Sequence, residues 1–184
     1  MKRTLALPLV LVAGLAGACG GTSSKGTDTV AQAPTASAAP TSSCAALPAT
    51  APAPGGATTD LKVKPVVKVP AGPPPCELQT IDLVVGKGAE AKDGSNVAVK
   101  YLGLLYADGK EFDSSWSRSP SNTLPFSIGG GVIAGFSDGT KGMKVGGRRE
   151  IIIPSKDGYG AAGSPPVIPA NADLIFVVDL VKVG

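Results

Sequence analysis

The 184-residue sequence contains no histidine. That absence excludes Ser-His-Asp and Cys-His nucleophilic catalysis, HExxH zinc chemistry and an imidazole pH switch. Aromatic residues are scarce: all eight lie between Tyr101 and Phe176. Ten of the 17 prolines crowd into residues 34–75. The first sixty residues therefore have little with which to build a core, and the globular part must lie C-terminal to them. An excess of charge is also missing. The formal net charge is +3, and removing residues 1–18, with Lys2 and Arg3, leaves 15 basic against 14 acidic side chains. From Cys76 onward 11 basic residues meet 12 acidic ones. Nucleic-acid binding asks for a basic face, so none is expected. Lys141, Lys144, Arg148 and Arg149 form only a small cluster, which reads as a solvated strand edge.

What is present at the N-terminus is an export pattern. Met1-Lys2-Arg3 is a short basic segment, and an apolar stretch from Leu5 to Leu15 follows, interrupted by Pro8 and Gly14. It is too short and glycine-rich for a permanent span and reads as a signal peptide over 1–18. Ala16-x-Ala18 suits an ordinary signal peptidase. Leu15-Ala16-Gly17-Ala18-Cys19 also resembles a bacterial lipobox, with Ala16 where a larger aliphatic residue is usual. Both readings cut before Cys19. We expect Cys19 to be lipidated, which would anchor the chain to the outer face of the cytoplasmic membrane, with plain secretion as the alternative. Residues 19–59 carry Ala, Pro, Ser, Thr and Gly with almost no charge and read as a disordered tether. Cys44 and Cys76 either pair as a disulfide in an oxidising compartment or remain thiols.

The domain is expected over residues 60–184. Leu61–Val69 begins with apolar/basic alternation and reads as an edge strand, limited by Pro65. Leu78–Val85, Asn96–Leu105, Lys110–Ser114, Leu124–Ile128, Arg148–Ile153 and Ala172–Val183 read as strands. Val97, Val99 and Tyr101 share one face, as do Leu174, Phe176, Val178 and Leu180. Only Ile133–Met143 is a helix candidate, and Gly135, Gly139 and Gly142 argue against it at about 1 kcal/mol each. The pattern is that of an α+β domain, an antiparallel sheet with one short helix.

An ordered set of short motifs runs through this domain. Tyr101-Leu-Gly103, Gly109-Lys-Glu-Phe-Asp-Ser-Ser115 and Val132-Ile-Ala-Gly-Phe136 come first. Gly142-Met143, Val145-Gly-Gly-Arg-Arg149, Ile153-Pro154, Tyr159-Gly-Ala-Ala-Gly163, Ile168-Pro169-Ala-Asn171 and Leu174-Ile-Phe176 follow. Together they resemble the FKBP-type peptidyl-prolyl isomerases, over roughly Leu61 to Gly184. The resemblance implies a five- or six-stranded antiparallel sheet wrapped around a helix at about Gly135–Met143, with a pocket between them.

It also implies a reaction, rotation about X–Pro peptide bonds. The uncatalysed barrier is about 18–20 kcal/mol, because planarity carries the amide resonance. Catalysis needs no nucleophile, metal, cofactor or ATP, only a site that prefers the twisted amide. By motif, Phe136 matches the floor beneath the proline ring, and Tyr101, Phe112, Val132, Ile133 and Phe176 match the walls. Phe126 and Leu124 match neighbouring wall positions, and Val167 and Ile168 an overhanging loop. Tyr159 and the Ile133 N–H match donors to substrate carbonyls. Asp113 matches a pocket carboxylate oriented by Tyr101 and Arg118.

Three positions depart from the family pattern. Phe136 stands where tryptophan is frequent, the turn Gly129-Gly130-Gly131 is one residue shorter than common and has no side chains before Val132, and Ser164, followed by Pro165-Pro166 in the overhanging loop, stands where a bulkier residue is frequent. The expected partners are unfolded or proline-containing exported polypeptides, with tacrolimus- or rapamycin-type macrolides as inhibitors, acting on a monomer. A holdase that binds proline segments without catalysis, and a surface-interaction lipoprotein, are the competing readings.

Overall fold

The structure is a computed structural model that describes Cys44, residues 59–119 and residues 122–184. The expected signal peptide, Cys19 and nearly all of the expected tether lie outside the described residues. Six strands form one antiparallel sheet: β1 (Gln79–Val84), β2 (Asn96–Leu105), β3 (Glu111–Ser114), β4 (Leu124–Ser127), β5 (Arg148–Ile153) and β6 (Leu174–Val183). Their order is β1-β5-β6-β2-β3, with β4 also pairing with β2. β3 takes Leu102–Leu104 and β4 takes Asn96–Val99, so the two short strands lie end to end along the same long strand. The other edge of β2 pairs with β6 along its whole length.

Alternation decides which face is buried. Val97, Val99 and Tyr101 of β2, Ile151 and Ile153 of β5, and Leu174, Phe176, Val178 and Leu180 of β6 form one core with Phe136 and Met143. Phe136 belongs to α2 (Ala134–Thr140), the short helix that the sheet wraps. Its glycines explain how a poor helix former is admitted. A Cβ built on Gly135 would lie 2.4 Å from Ile153 Cγ2, and one on Gly139 2.5 Å from Ile151 Cγ2. The helix backbone rests directly on β5, and packing outweighs propensity. α2 ends at Thr140 rather than Met143, because Lys141 is extended and Gly142 turns with φ +78°. A single-turn helix, α1 (Ser115–Arg118), follows β3, capped by Ser114 Oγ accepting from the Trp116 N–H.

Two sequence expectations are corrected here. Residues 61–69 form no strand. Pro65 and Pro70 remove donors that a ladder needs, and the segment instead crosses the outer face of the sheet as a strap. Val67 and Val69 pack there on a second cluster, Leu102, Leu104, Tyr106, Ile152 and Ile175. Tyr106 Oη donates to the Pro73 carbonyl at 3.3 Å, and a Cys44–Cys76 disulfide, Cα–Cα 4.9 Å, stands at the end of the strap.

Arg148 and Arg149 are not a solvated edge. β5 lies between β1 and β6, and Arg148 is 0% exposed. Arg148 donates to both Asp179 oxygens at 2.5 and 2.7 Å and to the Val63 carbonyl of the strap at 3.1 Å. Arg149 donates to Asp82 and to the carbonyls of Gly139 and Lys141 at the end of α2. The arginines therefore point to opposite faces, one holding the strap and the other the helix.

Candidate active site

A cavity of about 190 Å³ opens between α2 and the inner face of the sheet. Its lining comes from seven places in the chain. β2 contributes Tyr101, β3 Phe112 and Asp113, β4 Leu124, and β6 Phe176. Gly131, Val132 and Ile133 form the segment entering α2, Phe136 lies on α2, and Tyr159 stands on the loop after β5.

Phe136 is 2% exposed and forms the floor. Its ring centroid lies 4.9 Å from Phe176, 5.5 Å from Phe126 and 6.0 Å from Tyr101, in edge-on or tilted contacts. Phe112 meets Phe176 edge-on at 5.4 Å. Such contacts lock the ring orientations beyond what area burial alone gives. Gly103 sits where a Cβ would meet Phe112 and Phe176 below 3 Å, so the absence of a side chain there lets the two rings meet.

One wall is polar. Tyr101 Oη donates to Asp113 Oδ2. Asp113 Oδ1 accepts from the Ser114 N–H at 2.7 Å and from Arg118 Nη1 at 2.8 Å, while Arg118 Nη2 donates to Tyr101 Oη at 2.8 Å. The three side chains close a triangle. Burial pushes the Tyr101 phenol above its ordinary value, with Arg118 opposing and Asp113 adding to that rise, so it remains a donor at neutral pH. Ser115 Oγ accepts from the Tyr101 N–H at 2.9 Å, which fixes the strand under the ring. The sequence signal for this serine was only its place after Asp113.

Two donors face the opening. Ile133 caps α2 with extended dihedrals (φ −60°, ψ 146°), and its N–H has no partner among the described residues. Tyr159 is 38% exposed and lines the cavity from the facing loop. The arrangement is an aromatic cup with one fixed carboxylate wall and two donors at its rim. It can hold a compact apolar ring and orient nearby carbonyls. Among the described residues no cluster of metal-ligating side chains occurs.

Four residues expected at the pocket lie elsewhere. Phe126 is buried behind Phe136 and supports the floor without reaching the cavity. Ile168 packs into the core, and Val167 stands 48% exposed on a loop closed by Ser164–Ile168 hydrogen bonds at 2.8 and 2.9 Å. With Ile168 turned inward, neither side chain lines the cavity. Arg118 acts from outside, through Asp113 and Tyr101.

The fold is an antiparallel sheet wrapped on one short helix, with an aromatic cup where they meet. The model of the FKBP-type peptidyl-prolyl cis-trans isomerase family matches residues 87–181. The chain belongs to that family. It is 43% identical over 119 residues to the probable FK506-binding protein of Corynebacterium glutamicum, covering 65% of this chain and 98% of that one. It is 46% identical over 123 residues to the FK506-binding protein of Streptomyces anulatus, covering 65% and 97%. Among solved structures, AtFKBP13 matches with a TM-score of 0.53 at 34% identity, covering 58% of this chain and 93% of that one. FkpA from Escherichia coli matches with a TM-score of 0.52 at 40% identity, covering 58% and 47%.

Proposed function

We propose that the cavity over Phe136 is where this isomerase turns X–Pro bonds, and that it serves exported polypeptides from a lipid anchor on Cys19. The observation that carries the reading is the cup itself: five aromatic rings around one carboxylate that already accepts three hydrogen bonds. A planar amide is polar and resonance-stabilised, whereas a twisted one has lost resonance and is less polar. A water-poor pocket favours the second over the first, and only such differential binding accelerates rotation. The proline ring lies on Phe136 between Phe176 and Tyr101. Tyr159 Oη and the Ile133 N–H hold flanking carbonyls, which fixes one side of the bond while the other turns. Asp113 orients and polarises without transferring a proton, and Arg118 and Tyr101 hold it in place. Leu124, Phe112 and Val132 flank the residues next to proline, and Val167 meets longer substrates outside the cavity. Macrolides of the tacrolimus (FK506) type occupy the same cup, as the names of two relatives suggest.

The export pattern of residues 1–19 supports the location. The disulfide between Cys44 and Cys76 suits an oxidising compartment. The proline-rich tether would give the domain reach toward polypeptides emerging unfolded.

Metabolic labelling with a tagged fatty acid tests the anchor. Label is expected on the parent and absent from Cys19→Ser, with the parent in the membrane fraction. Unlabelled, freely secreted parent protein overturns the anchor. Titrating tacrolimus into ¹⁵N-labelled protein tests the site, with the largest shifts expected at Tyr101, Ile133 and Phe176. Shifts confined to other residues overturn it.

A further inference from the structure

Gly131 and Val132 form one wall of the cavity, and the exposed Gly129 and Gly130 join them to Ile128. The ends of this segment are well held. The Ile128 N–H donates to the Ser95 carbonyl at 2.9 Å, and the Ile133 carbonyl accepts the Phe136 and Ser137 N–H groups at 3.1 and 3.2 Å. The middle is not packed. A Cβ built on Gly129 or Gly130 would meet nothing within 4 Å, and Gly129 and Gly131 have φ of +98° and +80°. A triple glycine loses more conformational freedom on ordering than any other sequence of its length. Few interactions oppose that loss. One is the backbone bond from Gly130 N–H to the Ser127 carbonyl at 3.0 Å. The other comes from the floor helix: Ser137 Oγ accepts the Gly129 N–H at 2.7 Å. Ser137 is 3% exposed and follows Phe136 directly, so floor and wall are joined by one buried hydroxyl.

We propose that Ser137 is a positioning residue, which holds the Gly129–Gly131 turn, and with it the Gly131–Val132 wall, in its binding shape by accepting the Gly129 N–H. The inference rests on the cavity being the isomerase site. It specifies how the split between binding and turnover is divided. The wall touches the segment flanking proline, and the rotating amide lies over Phe136. Ordering the wall therefore weighs equally on ground state and transition state, and its loss falls on KM rather than kcat.

The test is steady-state kinetics on a short X–Pro peptide with the full chain, comparing the parent, Ser137→Ala and Ser137→Thr. Amide exchange at Gly129 and tacrolimus inhibition of the parent are followed alongside. Ser137→Ala is expected to raise KM about fivefold, the worth of one net hydrogen bond, with kcat within about twofold. Gly129 should lose protection. Ser137→Thr keeps the hydroxyl and should bring KM back toward the parent. An unchanged KM with an inhibitable parent overturns the role of Ser137 alone. A kcat loss at constant KM overturns it as well. A parent that tacrolimus does not inhibit removes the pocket assignment, and this inference falls with it.

Discussion

Replacing Glu150 with glutamine is expected to stabilise the protein at pH 8 and to leave it nearly unchanged at pH 4. Glu150 is 0% exposed on β5, and among the described residues neither carboxylate oxygen has a hydrogen-bond partner. It stands between Arg148, which the strap touches through Val63, and Ile152, which packs in the cluster under Val67 and Val69. That placement puts residues 64–66 of the strap across it, and the buried one among them is Pro65, which has no N–H to give. The charged groups on the same face are already occupied. Arg148 is bound to Asp179, and Lys100 of β2 lies over the Trp116 ring at 4.3 Å. Burial therefore raises the Glu150 carboxyl from 4.5 to about 7.

The sign follows from proton binding. Below pH 4.5 Glu150 is protonated whether folded or unfolded and costs nothing in ionisation. Between 4.5 and 7 the unfolded chain gives up the proton and the folded chain keeps it, so stability falls as pH rises. At about 1.4 kcal/mol per unit, the loss reaches about 3 kcal/mol near pH 7 and is flat above it. Opening of the strap to hydrate the carboxylate makes that an upper bound. Urea unfolding at pH 4, 6 and 8 checks the expectation. Parent and Glu150→Gln curves that stay parallel across the three pH values would contradict it.

Shrinking the floor gives the second large effect. Phe136→Ala removes a ring that touches three others, and burial of that size is worth about 3–5 kcal/mol, so the variant should be close to unfolding. Phe136→Leu is the informative change. It keeps the core filled and removes the flat surface under the proline ring, and kcat/KM should fall about tenfold or more while the urea midpoint moves modestly. Phe136→Trp enlarges the floor and should bind tacrolimus more tightly than the parent. A Phe136→Leu enzyme that is folded and fully active would show that substrate does not rest on this ring.

Much of this fold was legible from alternation alone. The ends of β2 and β5 fall where the pattern placed them, because both strands bury one face in a single core. The helix was not legible from propensity: Gly135 and Gly139 speak against it locally, and their purpose appears only once β5 lies beneath them. The strap misled because Leu61–Val69 alternates like an edge strand, yet it packs across a face that residues far downstream supply. Arg148 misled in the same way, since its partner Asp179 lies 31 positions on. At the site, the aromatics and Asp113 stood out by type and order. Ser115 and Ser137 did not, because a serine becomes informative only when the N–H it accepts is known.

Everything proposed for the site turns on whether the cup over Phe136 rotates X–Pro bonds by preferring the twisted amide. NMR exchange spectroscopy on a short X–Pro peptide, with the full chain at catalytic concentration and with tacrolimus added in a second sample, tests it most directly. Exchange far faster than the uncatalysed tens of seconds is expected, returning to the uncatalysed rate when the macrolide fills the cavity. Accelerated exchange that persists with the macrolide bound, or none at all from the folded protein, would contradict it.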